Sequence, residues 1–250
     1  MDSKNLVIIG AGGHGKVLAA TALAAAQWAR IVFLDDARTA MDSKNLVIIG
    51  AGGHGKVLAA TALAAAQWAR IVFLDDARTA GDTVIGLPVL GGTELLGSRV
   101  APDAYQAAVA VGDNAARRRL FGRLKTLGFE LPDIVHPSAV VAPFAELGGG
   151  CAVFAQAVVQ PGSRLGEGCI VNTAATVDHD CTLGAFVHIS PGAHLAGGTA
   201  VGEDSWIGIG ACTRQQVRIG SDVTVGAGAA VVGDVADGLT VAGVPARVLR

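Results

Sequence analysis

The stretch LGEGCIVNTAATVDHDCTLGAFVHI, residues 165–189, places a branched aliphatic residue at every sixth position. The same register runs from Val141 to Val231 without an insertion, and of its sixteen positions only Thr213 is not aliphatic. Four residues after each of these positions lies Ala, Cys, Ser, Thr or Val. A six-residue period with one large and one small inward side chain is typical of a β-helix built from hexapeptide repeats.

Three hexads close one triangular coil, so this register predicts about five coils of parallel β-helix. Hexapeptide coils are left-handed, an exception to the rule that parallel crossovers are right-handed. Because the register has no insertion, we expect a smooth prism without a protruding loop. Cys212 lies outside the small inward position, whereas the other three cysteines occupy it and are predicted to be packing residues and not catalytic thiols. These three are Cys151, Cys169 and Cys181.

The histidines of this repeat region, His179, His188 and His194, all miss the inward positions. They are therefore expected to face outward or to lie at corners, where an imidazole is either solvated or functional. His179 is the strongest candidate, because Gly197 follows it by eighteen residues, one coil higher, and leaves space for a substrate. The adjacent Asp180 would orient the ring or raise its basicity, so that it acts as a general base near neutral pH.

The region before the repeats begins with a strand, a glycine turn and a helix. Asn45–Ile49 is apolar, GAGGHG follows at 50–55, residues 56–67 favour a helix, and Ile71–Leu74 is a second strand ending in two aspartates. This G-x-G-x-x-G pattern lets backbone N–H groups approach a phosphate at the positive end of a helix. Either Asp75 or Asp76 is placed to accept hydrogen bonds from a ribose or a base.

A third strand is predicted at Ala107–Val111, closed by Gly112 and followed by an arginine-rich helix over Ala115–Leu127. Residues 41–132 are long enough for about one mononucleotide-binding half and too short for the two halves of a full dinucleotide fold. A Rossmann-like α/β domain for a mononucleotide such as a nucleotide-sugar therefore fits better than an NAD site. A generic α/β turn without a ligand is the remaining alternative.

Residues 41–80 repeat residues 1–40 letter for letter, including the Met. An old duplication would have diverged, so a gene-assembly scar explains the identity better. The predicted domains are thus the duplicate 1–40, the α/β domain 41–132 and the β-helix domain 133–250. The second copy joins the downstream chain directly, and loop-closure entropy favours it as the docked copy. The first copy is expected to be loosely attached or swapped onto a neighbouring chain.

Composition excludes several other classes of protein. The chain has 250 residues, a formal net charge of −2 and 51% hydrophobic residues, which argues against disorder and against nucleic acid or an anionic membrane as the main partner. No uninterrupted apolar run is long enough to span a bilayer. Four cysteines without a CxxC pair suit the reducing cytoplasm.

Four motifs together resemble the bacterial nucleotide-sugar acetyltransferases of the hexapeptide superfamily, and in particular the UDP-4-amino-sugar N-acetyltransferases of bacillosamine synthesis. Sialic-acid O-acetyltransferases are more distant relatives. The resemblance covers essentially all of residues 41–250. The motifs are GAGGHG at 50–55, FLDD at 73–76, VDHDC at 177–181 with FVHIS at 186–190, and VAGVPAR at 241–247.

The resemblance implies a homotrimer that holds acetyl-CoA, its co-substrate, in a groove between neighbouring prisms. His179 matches the family's catalytic base and Asp180 the acidic residue that tunes it, a position where close relatives carry Glu. His188, Gly197 and Ile209 match positions that contact acetyl-CoA, and no metal is implied. The positions that would bind the nucleotide-sugar are Gly52, Gly53, His54, Asp75, Asp76 and Gly112.

The implied reaction is transfer of an acetyl group to the amine of a nucleotide-linked sugar in a ternary complex. Three alternatives remain open. The acceptor could be a hydroxyl, which needs a stronger base. The three clustered histidines could instead hold zinc, as in carbonic anhydrases of hexapeptide type, although their spacing gives them different phases. Finally, the protein could bind a sugar without catalysing a reaction.

Overall fold

The computed structural model describes residues 4–9, 28–34 and 44–249, which fall into two compact units divided after Ser43. In the first unit, β1 (Lys4–Ile9) pairs in parallel with β2 (Trp28–Leu34), with Leu6 opposite Ile31. The second copy of the sequence pairs Leu46 with Ile71 in the same register. The segment that joins the two copies, near residue 40, lies outside the described residues, and the loose attachment of the first copy stays a prediction.

The second unit begins with a three-stranded parallel sheet, in which Asn45–Ile49 lies between Ile71–Leu74 and Tyr105–Val109. Its central strand is buried on both faces, which explains the continuous apolar run over residues 46–49. The strands are β3 (Asn45–Ile49), β4 (Ile71–Leu74), the hairpin β5 (Thr83–Val84) and β6 (Leu87–Pro88), and β7 (Tyr105–Val109). The helices are α1 (Gly53–Ala65) and α2 (Asn114–Thr126), with a 3₁₀ turn at Thr93–Leu95.

The sequence placed some of these boundaries a few residues too late. Helix α1 begins at Gly53, because the last residues of the glycine turn already form its first turn. Strand β7 ends at Val109 and not at Val111, since the carbonyl groups of Val111 and Gly112 turn away to accept hydrogen bonds from Arg117. The glycine loops consequently lie at the carboxyl edge of the sheet, where α/β proteins bind ligands.

The predicted left-handed parallel β-helix is confirmed over the rest of the chain. From Ile134 to Val231, two-residue strands repeat without an inserted loop, and each pairs with a strand eighteen residues away, as Ile170, His188 and Trp206 do. The strands are β8 (Ile134–Val135), β9 (Val140–Val141), β10 (Glu146–Leu147), β11 (Ala152–Val153), β12 (Val158–Val159), β13 (Arg164–Leu165), β14 (Ile170–Val171), β15 (Thr176–Val177), β16 (Thr182–Leu183), β17 (His188–Ile189), β18 (His194–Leu195), β19 (Ala200–Val201), β20 (Trp206–Ile207), β21 (Cys212–Thr213), β22 (Arg218–Ile219), β23 (Thr224–Val225), β24 (Ala230–Val231), β25 (Thr240–Ala242) and β26 (Arg247–Val248).

The prism has about six coils, one more than the sequence predicted. It starts one strand earlier, at Ile134–Val135, and its last coil is shorter, because Val225 pairs with Val241 across sixteen residues instead of eighteen. The antiparallel strand β26 then ends the sheet. A strict six-residue register predicts only coils of eighteen residues, so it does not predict this shorter one.

The interior of the prism follows the hexad register. Its aliphatic and small positions form one buried cluster, which includes Cys151, Cys169 and Cys181 as predicted, whereas Cys212 is exposed. Thr213, the one residue that is not aliphatic among the sixteen large positions, has a polar neighbour, because its hydroxyl group lies 3.0 Å from that of Thr199. An inward hydroxyl is tolerated here since it has a hydrogen-bond partner.

One outer face of the prism packs against the α/β part. Phe154 and Ile170 project outward from the prism wall and join the apolar cluster formed by Leu46, Ile48 and Leu58. This contact brings His54 of the glycine turn next to Phe154 and to His188 of strand β17. Neither described helix has the length and apolar character that a bilayer span requires.

Candidate active site

His179 and Asp180 form an exposed pair at a corner of the prism, after strand β15. The Nδ1 atom of His179 lies 2.8 Å from Oδ2 of Asp180, and the backbone N–H of His179 donates to Oδ1 of Asp178. The hydrogen bond that His179 donates to Asp180, followed by the charge of Asp178, raises the pKa of His179. With Nδ1–H donating to the carboxylate, the lone pair of Nε2 faces away from the pair and is available to accept a proton.

Gly197 lies one coil above the imidazole of His179, as its spacing predicted. A Cβ atom at residue 197 would come within 2.5 Å of Nε2, so that any side chain there would block the nitrogen. Ile209 is largely exposed. It is the other residue in this part of the prism to which the family resemblance gives a contact with acetyl-CoA. The corner therefore offers an accessible nitrogen beside a wall without side chains.

The sequence did not predict the surroundings of His188. Its side chain points out of the prism as predicted, but it is only 6% exposed because the α/β part covers this face, so of the two alternatives the solvated ring does not hold. The ring stacks on Trp206 with centroids 5.1 Å apart. Its Nε2 atom accepts a hydrogen bond from the side-chain amide of Asn172 at 3.2 Å, which leaves the proton on Nδ1.

His54, at the centre of the glycine turn, lies beside His188, with ring centroids 6.2 Å apart. Burial, reinforced by the charge of Arg117, lowers the pKa of His54 to about 4 and that of His188 to about 3. Both imidazoles are therefore neutral at pH 7. Within residues 44–249, Nε2 of His54 and Nδ1 of His188 are buried and have no hydrogen-bond partner. Buried polar atoms of this kind are normally satisfied, so a ligand or water is expected to meet them.

The glycine turn is open where a ligand would approach and closed where the helix meets the strand. Gly52 and Gly53 are exposed, and a Cβ atom on either would touch nothing within 4 Å. At Gly55, by contrast, a Cβ atom would collide with the carbonyl oxygen of Gly50. This division of roles is that of the glycines in nucleotide-binding turns.

The two aspartates after β4 stabilise the loops around this turn. Asp75 accepts hydrogen bonds from the backbone N–H groups of Ala51, at 2.6 Å, and Ala77. Asp76 accepts from the backbone and hydroxyl groups of Thr93. Each carboxylate oxygen keeps a second lone pair, so these bonds fix the aspartates without removing their capacity to accept from a ligand.

Arg117 is a central residue of the site that the sequence analysis missed. It is 2% exposed, and its guanidinium donates to the carbonyl groups of Gly112 and Val111 on the α/β side and to those of Gly168 and Phe186 on the prism. Desolvation lowers its pKa to about 10, which leaves it charged at neutral pH. Its helical spacing could have predicted its burial, because the buried face of α2 consists of Asn114, Arg117, Phe121 and Leu124.

Trp206 was also missed, because it occupies an ordinary outward position in the register. Its indole N–H donates to the hydroxyl of Ser190 at 2.6 Å, and its ring forms part of the wall of a cavity of about 470 Å³. This cavity lies between the start of α2 and the prism. Its other lining residues are Asp113, Asn114, Ala115, Glu203, Asp204, Ser221, Asp222 and Thr224.

His179, His188 and His194 do not converge on a common point of coordination within one chain. His179 pairs with Asp180, His188 is enclosed beside His54, and Nδ1 of His194 lies 3.0 Å from the hydroxyl of Thr176. Among the residues that the structure describes, no group of three His, Cys, Asp or Glu side chains could hold a metal ion.

Comparisons with known proteins agree with this arrangement. The PglD N-terminal domain family matches residues 5–44 and again residues 45–124, so the duplication is visible there too. The acetyltransferase domain of PglB from Neisseria gonorrhoeae is 56% identical, with a TM-score of 0.81 over 83% of this chain and 100% of that one. The chain belongs to the bacterial nucleotide-sugar N-acetyltransferases of the hexapeptide superfamily.

Two other solved structures are also similar to this chain. GDP-perosamine N-acetyltransferase from Caulobacter crescentus, with one histidine replaced by alanine and with CoA and GDP-perosamine bound, is 40% identical, with a TM-score of 0.79 over 82% of this chain and 97% of that one. WeeI from Acinetobacter baumannii is 28% identical, with a TM-score of 0.74 over 83% and 100%. No curated protein sequence matched. The matches to solved acetyltransferase structures confirm the predicted enzyme class.

Proposed function

We propose that this enzyme transfers the acetyl group of acetyl-CoA to the amine of a nucleotide-linked amino sugar, with His179 as the general base. Two relatives support the choice of substrates: the PglB domain has been solved with acetyl-CoA, and the Caulobacter enzyme with CoA and GDP-perosamine. The observation that carries the proposal is the accessible Nε2 atom of His179, which Asp180 orients and beside which Gly197 leaves room.

In the proposed reaction, Nε2 of His179 takes a proton from the sugar amine while the nitrogen of that amine attacks the thioester carbonyl carbon. The hydrogen bond to Asp180 stabilises the imidazolium that forms. A C–N bond forms, the C–S bond breaks, and the CoA thiolate leaves and takes up a proton. Since a deprotonated amine is a good nucleophile, transfer is direct within a ternary complex and no acyl-enzyme is needed.

His188 is suited to stabilise the oxyanion of the tetrahedral intermediate. Its Nε2 accepts from Asn172, so Nδ1 carries a proton. That buried N–H has no hydrogen bond of good geometry among the described residues, although the backbone of Gly112 lies close enough to raise the pKa of the ring. An unsatisfied N–H in a water-excluded site is the kind of donor that stabilises developing negative charge. A backbone N–H of the prism would serve as an alternative donor.

The remaining site residues divide between the two substrates. His188, Gly197 and Ile209 would contact acetyl-CoA in a groove between neighbouring prisms of a homotrimer. Four free cysteines fit the reducing cytoplasm, where we propose that the enzyme acts. The nucleotide-sugar would be held by Gly52, Gly53, His54, Asp75, Asp76 and Gly112.

A CoA-release assay against a panel of nucleotide-linked amino sugars tests the proposal. Wild-type enzyme should release CoA with at least one of these acceptors, and His179→Ala should lose roughly 10²–10⁴-fold in kcat. His194→Ala, an exposed histidine of the same prism, is the matched control and should keep wild-type activity. Full activity in His179→Ala, or a product acetylated on a hydroxyl group, would refute the proposed mechanism.

A further inference from the structure

The corner one coil below His179 and Asp180, residues 161–163, contacts the backbone on both sides of this pair. The hydroxyl of Ser163 donates to the carbonyl oxygen of Asp178 at 2.6 Å and accepts from the backbone N–H of Cys181 at 3.2 Å. Ser163 is fully buried. One hydroxyl group thus bridges the two residues that flank His179 and Asp180.

Gly162 lies directly beneath the carboxylate of Asp180. A Cβ atom at residue 162 would come within 2.5 Å of Oδ1 of Asp180, whose other oxygen receives the hydrogen bond from His179. Asp180 itself has a positive φ of 59°, and its backbone N–H donates to the carbonyl oxygen of Pro161. Because the backbone of Asp180 is held from below, a Cβ atom at residue 162 would push the carboxylate away from the position in which it accepts the hydrogen bond from His179.

We propose that Gly162 and Ser163 are positioning residues for the reaction: Ser163 holds the backbone around His179 and Asp180, and Gly162 leaves the space that the Asp180 carboxylate occupies. The proposal rests on the proposed role of His179 as the base. It extends the site to a coil that the sequence motifs do not include, since VDHDC begins at residue 177.

The chain contains matched controls for both residues. Ser205 makes the same bridge elsewhere in the prism, to the carbonyl oxygen fifteen residues later and the N–H eighteen residues later, on Gly220 and Val223. Gly192 has a φ of 63°, close to the 75° of Gly162, but a Cβ atom on it would touch nothing within 4 Å. Ser205→Ala therefore removes an equivalent hydroxyl bridge and is the control for Ser163→Ala. Gly192→Ala introduces an equivalent backbone strain and is the control for Gly162→Ala. Neither control changes the corner of His179.

The experiment compares kcat, the two KM values and the pH profile in Gly162→Ala and Ser163→Ala with those in the two controls. We expect kcat to fall roughly ten-fold in both test variants, as part of the general-base contribution is lost, with little change in either KM. In Gly162→Ala the pKa of His179 should also move down towards its ordinary value as the hydrogen bond to Asp180 is lost. The acid limb of the pH–rate profile should then shift to lower pH.

The charged groups that act on His179 are Asp178 and Asp180, both on its own corner. The corners packed below and above, residues 161–163 and 196–198, consist of Pro, Gly, Ser and Ala. A shift of the acid limb therefore reports on the hydrogen bond to Asp180. An NMR titration of the His179 ring gives the same pKa without any substrate, so it is independent of turnover.

Equal losses of kcat in Gly162→Ala and Gly192→Ala, or in Ser163→Ala and Ser205→Ala, would overturn the proposal, because strain or stability alone would then explain them. An unchanged His179 pKa in Gly162→Ala would overturn it as well. The underlying function is tested separately by His179→Ala: if that variant stays active while the NMR pKa still falls in Gly162→Ala, the proposed base is wrong and the positioning geometry stands.

Discussion

Lowering the pH from 8 to 5 should weaken the fold through His54 and His188. His188 is buried and His54 is half-buried, and their pKa values of about 3 and about 4 lie well below the ordinary value of 6.5. In the unfolded chain both rings bind a proton at pH 5, whereas in the folded protein they do not. The free energy of unfolding therefore falls as the pH drops below 6.5, by about 1.4 kcal/mol per pH unit and per ring.

The expected loss at pH 5 is thus about 2 kcal/mol for each histidine and about 4 kcal/mol for the two. Urea unfolding at pH 8 and pH 5, at a fixed protein concentration, measures this difference. Asparagine does not titrate, so His54→Asn and His188→Asn should each remove about half of the pH-dependent loss. The exposed His194 serves as the control, and His194→Asn should leave the loss unchanged.

A uniform destabilisation by the substitutions does not affect the comparison, because each variant is compared with itself at two pH values. If both Asn variants lose as much stability between pH 8 and pH 5 as the wild type, the rings are not buried neutral groups. The description of the junction between the α/β part and the prism would then be wrong.

Three further predictions concern other parts of the molecule. Arg117→Ala should lower the free energy of unfolding by roughly 3–5 kcal/mol in urea titrations, because it leaves several buried acceptors without a donor, whereas the exposed Arg119→Ala should stay within about 0.5 kcal/mol. In the folded protein only Cys212 should react rapidly with a thiol reagent, with all four cysteines reacting in urea; rapid labelling of a second thiol would contradict the packing. Deletion of residues 1–40 should leave kcat and KM unchanged, because the second copy supplies the sheet, and a loss of activity would show that the first copy is needed.

The sequence predicted what depends on local periodicity. The hexad register placed the aliphatic wall of the prism and buried Cys151, Cys169 and Cys181 correctly, because an inward position is fixed by the chain itself. The same register brought Gly197 next to His179, since eighteen residues make one coil. In the α/β part, alternation of strand, glycine turn and helix was enough to predict the parallel sheet.

What the sequence missed depends on contacts between distant segments. The register shows that His188 faces out of the prism, but not that the α/β part covers it. Arg117 looked like one more residue of an arginine-rich helix, although it lies on that helix's buried stripe. Trp206 gave no signal, because its importance comes from stacking on His188 one coil below.

A crystal structure with CoA and an unreacted nucleotide-linked amino sugar tests the central claim most directly. The quantity to measure is the distance from Nε2 of His179 to the acceptor amine nitrogen. If His179 is the base, this distance is roughly 2.6–3.2 Å, or a single water bridges the two atoms, and the CoA thiol lies close by. An amine bound far from His179, with the pantetheine arm on another face of the prism, would contradict it.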